Sequence, residues 1–462
     1  MPESAAFSNG PPAARAGHAA PAPTVSFVTL GCRVNQADTH QMQARLEMSG
    51  WRTVSAECRA DVVVINTCTV TARAELSDRQ AVRRAGRTSP GARIVVTGCW
   101  AQTSPQAIAT LGDVDLIVGG ADQARLPELV ADLHARPRGA RRMVVGDPTR
   151  SRLAPVAPRA HLGGRARAFV KVQDGCQHRC AFCIVPFARG GSRSLAPAIV
   201  EAQVRRLVEA GHPEIVLTGI DLGHYGRDRH PHAGLAALLD RLVRVRGLRW
   251  LRLSSMLPAY FTEDVLEILT TSPAIAPHFH VPLQSGSDRM LRRMRRPYTS
   301  ATYRRVVERL ADAIPRLGLG ADVIAGFPGE TEADFAATLE MVQAAPFSYL
   351  HVFPYSQRSG TAAAALPGRL DAGTVTARAR RLREVGAARR RAFHAAMVGR
   401  TEDVLVLERR DPASGDLTGL TGNYVEVTFA GPDRLRCRTA RVRVTGAGER
   451  ATRGVLEDPP AA

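Results

Sequence analysis

Residues 168–186 of the sequence read AFVKVQDGCQHRCAFCIVP, an apolar run that is followed at once by closely spaced cysteines. The run AFVKVQ predicts a β-strand. Three cysteines come after it with the spacing C-x3-C-x2-C, namely Cys176, Cys180 and Cys183. Three thiolates on one tight loop suit three irons of a 4Fe–4S cluster and leave the fourth iron open to a substrate or a cofactor. The alternative is zinc or a loose group of thiols, but a closed zinc site needs a fourth cysteine or histidine, and His178 is poorly placed for it.

This strand begins an alternation of strands and helices that extends to about residue 391. Its further strand candidates are the runs EIVLTG, RWLRLS, HFHVPL, ADVIAG and YLHVFP. Six strands with intervening helices predict an open or partial (β/α) barrel, with a doubly wound sheet as the alternative. The runs EDVLVLE, NYVEVTF and RLRCRTARVRV near the end are separated by Gly, Asp and Pro turns. They predict a small C-terminal β-barrel of about 60 residues.

A similar alternation precedes the barrel, from Val25 to about Arg136. Its strand candidates VSFVTL, DVVVIN, RIVVTG and DLIVGG, with helical stretches between them, predict a parallel sheet covered by helices. Three cysteines stand just past the ends of the first three strands, in TLGC, INTC and VTGC: Cys32, Cys68 and Cys99. Ligands of open α/β sheets bind along that edge, so these thiols form a second candidate site. A single cysteine there would more often be a buried structural thiol.

The composition is that of a soluble globular protein. Of 462 residues, 45% are hydrophobic and 23% are charged, and no apolar run is long enough to span a bilayer. The N-terminal stretch lacks the apolar segment of a signal peptide, so we expect a cytoplasmic protein with no membrane association. Eight cysteines in such a protein favour metal or catalytic roles over disulfides. The two outside the motifs, Cys58 and Cys437, are expected to be plain core or surface thiols.

The charge is strongly positive. The chain has 62 basic and 43 acidic residues, a formal net charge of +19, which favours a polyanionic partner such as nucleic acid. Candidate phosphate contacts lie in ARGGSR, in MLRRMRRPY and in one arginine-rich helix: Arg189, Arg193, Arg292, Arg293, Arg295, Arg296, Arg378, Arg380, Arg381, Arg383, Arg389, Arg390 and Arg391. A solvated helix face is an equally good interpretation of any single run.

The C-x3-C-x2-C motif after the first barrel strand resembles the signature of radical S-adenosylmethionine (SAM) enzymes. The pairing of two three-cysteine sites resembles the methylthiotransferases of that superfamily, which insert a methylthio group at an unreactive C–H bond. The resemblance covers nearly the whole chain from about Val25, in family order: a three-cysteine N-terminal domain, a radical SAM core and a C-terminal module similar to TRAM, an RNA-binding β-barrel.

The resemblance implies two 4Fe–4S clusters and SAM as cofactors. It implies an auxiliary cluster on Cys32, Cys68 and Cys99, where one SAM methylates a sulfur. It implies a catalytic cluster on Cys176, Cys180 and Cys183, where a second SAM yields the 5′-deoxyadenosyl radical that abstracts a hydrogen from the substrate.

The stretch DVIAGFPGET resembles the family's late-strand glycine motif, whose backbone lies close to SAM. It implies cofactor-binding positions at Gly326 and Glu330. The alternative is that Glu330 and Thr331 simply open the next helix, with Thr331 capping it and Asp334 supporting the cap.

The stretch TLGCRVNQ resembles the LGCKVNQ form of the threonylcarbamoyladenosine branch, with Arg33 in place of the usual lysine. The hypothesis is methylthiolation at carbon 2 of threonylcarbamoyladenosine at position 37 of tRNA, beside the anticodon. The implied partners are the anticodon stem-loop of tRNA, an electron donor such as flavodoxin or ferredoxin, and a sulfur donor. Alternatives are isopentenyladenosine in tRNA, an aspartate of a ribosomal protein, another radical SAM chemistry, or a non-catalytic RNA-binding or zinc protein.

These interpretations divide the chain into five predicted segments. They are a disordered tail (1–23), a methylthiotransferase N-terminal domain (24–138), a linker with one possible strand at RMVVG (139–161), the radical SAM core (162–394) and the TRAM-like RNA-binding domain (395–460).

Overall fold

The computed structural model describes residues 21–139, 141–151, 153 and 165–457. Most of the predicted disordered tail and much of the predicted linker lie outside the described residues. The described part of the chain forms a parallel sheet, a partial barrel and a closed barrel, in that order. None of its helices is both long and apolar enough to cross a membrane.

The first unit is a parallel sheet with the strand order β2-β1-β3-β4-β5-β6. Its strands are β1 (Thr24–Thr29), β2 (Arg52–Val54), β3 (Val62–Thr67), β4 (Arg93–Gly98), β5 (Leu116–Gly119) and β6 (Arg142–Val144). Its helices are α1 (Arg33–Met48), α2 (Ala72–Thr88), α3 (Cys99–Thr103), α4 (Pro105–Ala109) and α5 (Leu126–Ala135). Every residue of β3 is buried, as expected for a strand covered on both faces. The predicted parallel sheet is confirmed, and β6 forms within the predicted linker at RMVVG, its one possible strand.

The second unit is a partial barrel, as predicted. Its parallel strands are β7 (Arg167–Lys171), β10 (Glu214–Thr218), β11 (Trp250–Leu253), β12 (His278–His280), β13 (Gly318–Ala325) and β14 (Tyr349–Pro354). They form two three-stranded halves, β11-β10-β7 and β12-β13-β14. Backbone hydrogen bonds of Leu251 with Ala274 and Ala276, just before β12, join the two halves. A short hairpin of β8 (Gln173–Asp174) and β9 (Arg193–Ser194) follows β7.

Helices surround the barrel on its outer side. The short helix α6 (Val185–Arg189) packs against α3 of the sheet unit, and the outer helices are α7 (Pro197–Glu209), α8 (Leu235–Val243), α9 (Glu263–Thr271), α10 (Asp288–Arg293), α11 (Ser300–Ala313), α12 (Glu332–Ala344) and α13 (Ala372–Ala395). The main apolar core lies between these helices and one face of the strands, with Val170, Leu217 and Val323 among its fully buried members. The other face of each strand therefore lines the concave interior of the barrel.

The third unit is a closed barrel with the strand order β15-β16-β17-β19-β18, which confirms the predicted C-terminal β-barrel. The strands are β15 (Thr401–Arg410), β16 (Leu417–Thr421), β17 (Glu426–Phe429), β18 (Thr439–Ala447) and β19 (Thr452–Leu456). The β-rich segment RLRCRTARVRV is extended only in its second part. Asp433–Leu435 form a helical turn and Cys437 has a φ of 60°, so extended backbone begins only at Thr439.

Candidate active site

The three N-terminal cysteines come together at the carboxyl edge of the sheet. Cys32 immediately precedes α1, Cys68 directly follows β3, and Cys99 is the first residue of α3 after β4. Gly31 has a φ of 96°, and a Cβ on it would lie 2.7 Å from Cys68 Cβ and 3.0 Å from Cys68 Sγ. Only glycine therefore lets the loop that carries Cys32 fold this closely against Cys68.

The charge balance of this thiol group suits a metal cluster. Burial, together with the neighbouring thiols of Cys99 and Cys32, raises the pKa of Cys68 to about 12. Burial also raises the pKa of Cys99, which the Arg189 guanidinium lowers in part. Three neighbouring thiolates repel one another, so all three stay deprotonated only when a strong positive charge compensates them. Bound iron supplies that charge. The donor set is the one that 4Fe–4S clusters use, and it fits such a cluster.

Two polar side chains hold the loops of this thiol group. The Asn35 amide donates to the carbonyl oxygens of Leu30 (2.8 Å) and Thr67 (2.9 Å), which ties the ends of β1 and β3 together. Asp78 is buried and accepts a hydrogen bond from the backbone N–H of Cys68 at 3.1 Å. Sequence reasoning missed both side chains. In the sequence, Asn35 could have been recognised only by its place in RVNQ. Asp78 lies on α2, outside the cysteine motifs, so nothing in the sequence indicated its contact with Cys68.

The three barrel cysteines lie in the loop between β8 and α6. Cys183 donates its backbone N–H to the carbonyl oxygen of Cys180 at 3.1 Å, and Cys176 donates to Gly190 at 3.0 Å. Burial raises the pKa of Cys176 to about 12 and that of Cys183 to about 11. The thiol of Cys99 adds to the shift at Cys183, so the two thiol groups lie within electrostatic range of each other. This second donor set also fits a 4Fe–4S cluster.

Charged and hydrogen-bonding side chains surround the barrel thiols. Arg296 Nη1 lies 3.2 Å from Cys180 Sγ and acts as its donor. Cys176 Sγ lies 3.9 Å from Asp221 Oδ2. His178 Nε2 is 2.8 Å from the hydroxyl of Tyr260 and 3.4 Å from Asp221 Oδ2. These contacts agree with the expectation that His178 is poorly placed as a metal ligand.

A buried ion network connects the sheet unit to the barrel. Arg189 donates to Asn35 Oδ1 (2.7 Å), Asp38 Oδ2 (2.9 Å) and Asp174 Oδ1 (3.0 Å). Lys171 pairs with the same two carboxylates. Burial alone would raise the pKa of Asp174, but Arg189 and Lys171 outweigh it and hold that pKa well below its usual range. The network therefore stays ionised between the two thiol groups.

The predicted phosphate contacts separate into buried and exposed arginines. For Arg189 and Arg378, both interpretations are wrong: neither side chain is a free phosphate contact or part of a solvated helix face. Their exposed fractions are 8% and 7%, and each is ion-paired. Both are wrong for Arg296 as well, since it contacts Cys180 and Tyr298. The surface of α13 keeps a set of exposed arginines: Arg380, Arg381, Arg383, Arg390 and Arg391.

Gly326 and Glu330 form one turn after β13. Glu330 is buried, accepts the backbone N–H of Gly326 at 2.9 Å and pairs with Arg378 at 2.8 Å. Thr331 and Asp334 form a reciprocal cap at the start of α12, as the helix-opening alternative expected. The carboxylate of Glu330 thus fixes the backbone of the turn, and cofactor contact at Gly326 and Glu330 stays a prediction.

Two family models match the chain in separate stretches. Residues 24–119 match "Uncharacterized protein family UPF0004", which covers the sheet with its three cysteines. Residues 170–342 match the "Radical SAM superfamily", which covers most of the partial barrel.

Several full-length relatives are similar to this chain. The threonylcarbamoyladenosine tRNA methylthiotransferase MtaB of Aquifex aeolicus is 39% identical over 88% of this chain and 97% of that protein. The protein of the same name from Bacillus subtilis is 37% identical over 92% of this chain and 94% of its own length. A tRNA-2-methylthio-N(6)-dimethylallyladenosine synthase of Parafrankia is 37% identical over 87% and 83%.

Among solved structures, the chain resembles the radical SAM methyltransferase TsrM of Kitasatospora setae, which was solved with cobalamin and a [4Fe–4S] cluster. The TM-score is 0.56 over 72% of this chain and 75% of that one, at 18% identity. At that identity the likeness supports the shared fold only.

Proposed function

Because this chain belongs to the radical SAM tRNA methylthiotransferase family, we propose that it converts threonylcarbamoyladenosine at position 37 of tRNA into its 2-methylthio derivative. The chain is an enzyme of the threonylcarbamoyladenosine tRNA methylthiotransferase type, similar over most of its length to relatives with that name. The observation that carries the proposal is the approach of the two thiol groups across the interface between the sheet and the barrel. Cys99 begins α3, and α3 packs against α6, which begins two residues after Cys183.

The six cysteines would hold two clusters with different tasks. In the proposal, Cys176, Cys180 and Cys183 bind the 4Fe–4S cluster that serves SAM, and Cys32, Cys68 and Cys99 bind an auxiliary cluster. A 4Fe–4S cluster with an open iron supplies the electron that cleaves SAM into methionine and a 5′-deoxyadenosyl radical. The two groups lie close together because sulfur must reach the same carbon from which hydrogen is removed.

The polar residues around the thiols position and insulate these sites. Arg296 places a cation at Cys180, where it offsets thiolate charge and orients the loop. Arg189 does the same beside Cys99 while it joins α1 to the barrel. In the proposal, Gly326 and Glu330 form part of the surface that contacts SAM, and the Glu330 carboxylate fixes the backbone of the turn.

The proposal includes three partners. The anticodon stem-loop of tRNA would contact the exposed arginines of α13 through its phosphates and would reach the small C-terminal barrel. An electron donor such as flavodoxin or ferredoxin would reduce the barrel cluster, and a separate sulfur donor would restore the auxiliary site. A cytoplasmic location follows from the tRNA substrate as part of the same proposal.

The decisive experiment compares tRNA nucleosides by mass spectrometry. The enzyme, reconstituted anaerobically with iron and sulfide, is incubated with SAM, a reductant and anticodon stem-loops that carry threonylcarbamoyl-, isopentenyl- or unmodified adenosine. We expect the 2-methylthio product from the threonylcarbamoyl substrate alone. Product from the isopentenyl substrate alone would move the chain to the branch of the Parafrankia relative.

A further inference from the structure

The interior wall of the partial barrel carries polar and aromatic side chains that the two thiol groups do not use. Side chains alternate between the faces of a strand, and Phe279, Leu319 and Val323 belong to the core under the outer helices. The intervening residues of β12, β13 and β14 therefore face the interior: His278, His280, Asp322, Tyr349, His351 and Phe353.

Tyr349 fixes the centre of this wall. Its ring lies across β13 at Gly320, where a Cβ would come within 2.0 Å of the ring carbon Cζ. Its hydroxyl lies 2.9 Å from His278 Nε2 and 3.1 Å from His280 Nδ1. Glycine at position 320 and the two hydrogen bonds together hold the ring flat against the strands.

Asp322 holds two histidines of the wall. Its Oδ1 lies 2.9 Å from His280 Nε2 and 3.4 Å from His351 Nδ1. Burial alone would raise the pKa of Asp322, but both histidines outweigh it and hold that pKa well below its usual range. The His280 side chain is 7% exposed and that of His351 is 55% exposed. His351 is thus anchored through Nδ1, and Nε2 is left as the nitrogen that a ligand can reach.

A guanidinium lies next to this group of rings, with Arg33 Cζ 5.5 Å from the centroid of the Tyr424 ring. Arg33 donates to the hydroxyl of Tyr424 at 3.1 Å, and the Tyr424 ring stacks on His278 with 4.3 Å between the ring centroids. Arg33 also acts electrostatically on Tyr349, whose pKa it lowers against the larger effect of burial. Since Arg33 follows Cys32 in the sequence, the wall begins beside one thiol group.

The other thiol group is connected to the segment just after β12, where Tyr298 donates to the carbonyl oxygen of Pro282 at 2.7 Å. Cys180 receives a hydrogen bond from Arg296, and Arg296 donates to the hydroxyl of Tyr298 at 2.9 Å. Asp322 in turn acts electrostatically on Tyr298. Contacts therefore link the wall to one thiol group through Arg33 and to the other through Arg296 and Tyr298.

We propose that this wall binds the target base and that His351 and Arg33 recognise the carboxylate of its N6 substituent. The proposal rests on the proposed function and deepens it by assigning the residues that select the substrate. The rings of Tyr349 and Phe353, the latter 40% exposed, give the adenine a stacking surface. An apolar isopentenyl chain would offer no carboxylate to the Arg33 guanidinium or to His351 Nε2, so the site should discriminate against it.

The same three groups could also hold a metal ion. The ligand atoms of His280, Asp322 and His351 lie within 4.8 Å of one another. A set of two histidines and one carboxylate is a known metal-binding combination. The rings of Tyr349 and Phe353 lie beside His351, at 5.2 Å and 6.5 Å between ring centroids, and they favour the base because a base needs a stacking surface and a metal ion does not. The experiment must nevertheless separate the two ligands.

The test measures binding of three anticodon stem-loops that differ only at position 37, with threonylcarbamoyl-, isopentenyl- or unmodified adenosine. The reconstituted wild-type enzyme should bind the threonylcarbamoyl form at least tenfold more tightly than the other two. His351→Phe keeps a ring and removes the hydrogen bond, and we expect it to abolish this preference while isopentenyl binding stays equal or improves. Arg33→Met should do the same, whereas His134→Phe, at an exposed histidine of α5, should keep the preference.

Three results would overturn the proposal. One is a wild-type preference that survives in both His351→Phe and Arg33→Met. Another is an equal loss of affinity for all three stem-loops in these variants. The third is one equivalent of zinc or manganese in the wild type that His351→Phe loses, because the groups would then be a metal site. A wild-type preference without methylthiolated product would refute the proposed function and leave this inference standing.

Discussion

Arg189 and Asp38 form a buried ion pair between the barrel and the N-terminal sheet unit, with 2.9 Å between Nη2 and Oδ2. The same guanidinium holds Asp174 and lowers the pKa of Cys99 against the larger effect of burial. One side chain thus joins the two units at the place where the thiol groups approach each other. This relationship makes the interface between the units part of the candidate active site.

Replacing Arg189 by methionine should destabilise the protein strongly. The substitution leaves Asp38 and Asp174 with Lys171 as their remaining cation, and breaking a buried ion pair costs about 3–5 kcal/mol. The thermal unfolding midpoint of the anaerobic holoenzyme should fall by several degrees. Arg205→Met is the matched control, because its exposed pair with Glu201 is worth at most about 1 kcal/mol. Equal midpoints for the two variants would contradict the structural role of Arg189.

Replacing Cys99 by alanine should remove one cluster and spare the other. Iron and sulfide analysis after reconstitution should give about eight irons for the wild type and about four for Cys99→Ala. Cys99→Ala should still cleave SAM under reduction, whereas Cys176→Ala should not. Cys58→Ala is the control, since Cys58 is exposed and lies outside both thiol groups. A full iron complement in Cys99→Ala would rule out an auxiliary cluster at this position.

Replacing Arg296 by methionine should make the barrel cluster harder to reduce. The variant lacks the cation that donates to Cys180 Sγ, so the added electron meets more uncompensated thiolate charge. Potentiometric titration followed by electron paramagnetic resonance should show a more negative reduction potential, measured in the Cys99→Ala background. Arg292→Met, which removes an exposed charge of α10, should leave the potential close to that of the parent. A parallel shift in both variants would mean that only the net charge matters.

Stability should depend on pH through His40. Burial, followed by the charges of Arg165 and His212, lowers the pKa of His40 from 6.5 to about 4. The contribution of neutral His40 to the free energy of unfolding is therefore complete above pH 6.5 and is lost as the pH falls from 6.5 towards 4. Over this range the unfolded chain binds a proton at His40 and the folded chain does not. At pH 5 the loss amounts to about 2 kcal/mol.

The measurement compares unfolding midpoints of the wild type and His40→Gln between pH 7 and pH 5. The His40→Gln variant should lose less stability over this range than the wild type. His134→Gln, at an exposed position, should keep the wild-type dependence. Identical slopes for His40→Gln and the wild type would show that His40 does not titrate in this way.

The exposed arginines of α13 should contribute to tRNA affinity through counterion release. Converting Arg380, Arg390 and Arg391 to glutamine should weaken binding at low salt. The slope of log K against log salt should become shallower by about 0.7–0.9 for each phosphate that the variant no longer neutralises. The matched control converts Arg205, Arg241 and Arg244 to glutamine. These arginines are exposed but paired with acidic partners on α7 and α8. Equal slopes in the two triple variants would place the tRNA elsewhere.

The sequence by itself determined the three architectural units and both groups of cysteines. Apolar runs of β-strand length that alternate with helical stretches predict parallel sheets, and a cysteine after such a run must lie at the carboxyl edge of the sheet. TLGC, INTC and VTGC could therefore be grouped although 67 positions separate Cys32 from Cys99. Within RLRCRTARVRV the strand begins only at Thr439, because the φ of 60° at Cys437 is a local property that its neighbours in the sequence do not reveal.

Only the tertiary structure decided which polar side chains serve these groups. Arg189, Arg296 and Arg378 resembled phosphate contacts in the sequence, because a linear pattern of arginines does not reveal whether a carboxylate or a thiol from a distant segment lies opposite. Asp38 stands 151 positions from Arg189, and they pair because α1 of the sheet unit packs against the barrel. The wall of His351, Asp322 and Tyr349 arises in the same way, from the register of adjacent strands, which is set by the packing of the whole barrel.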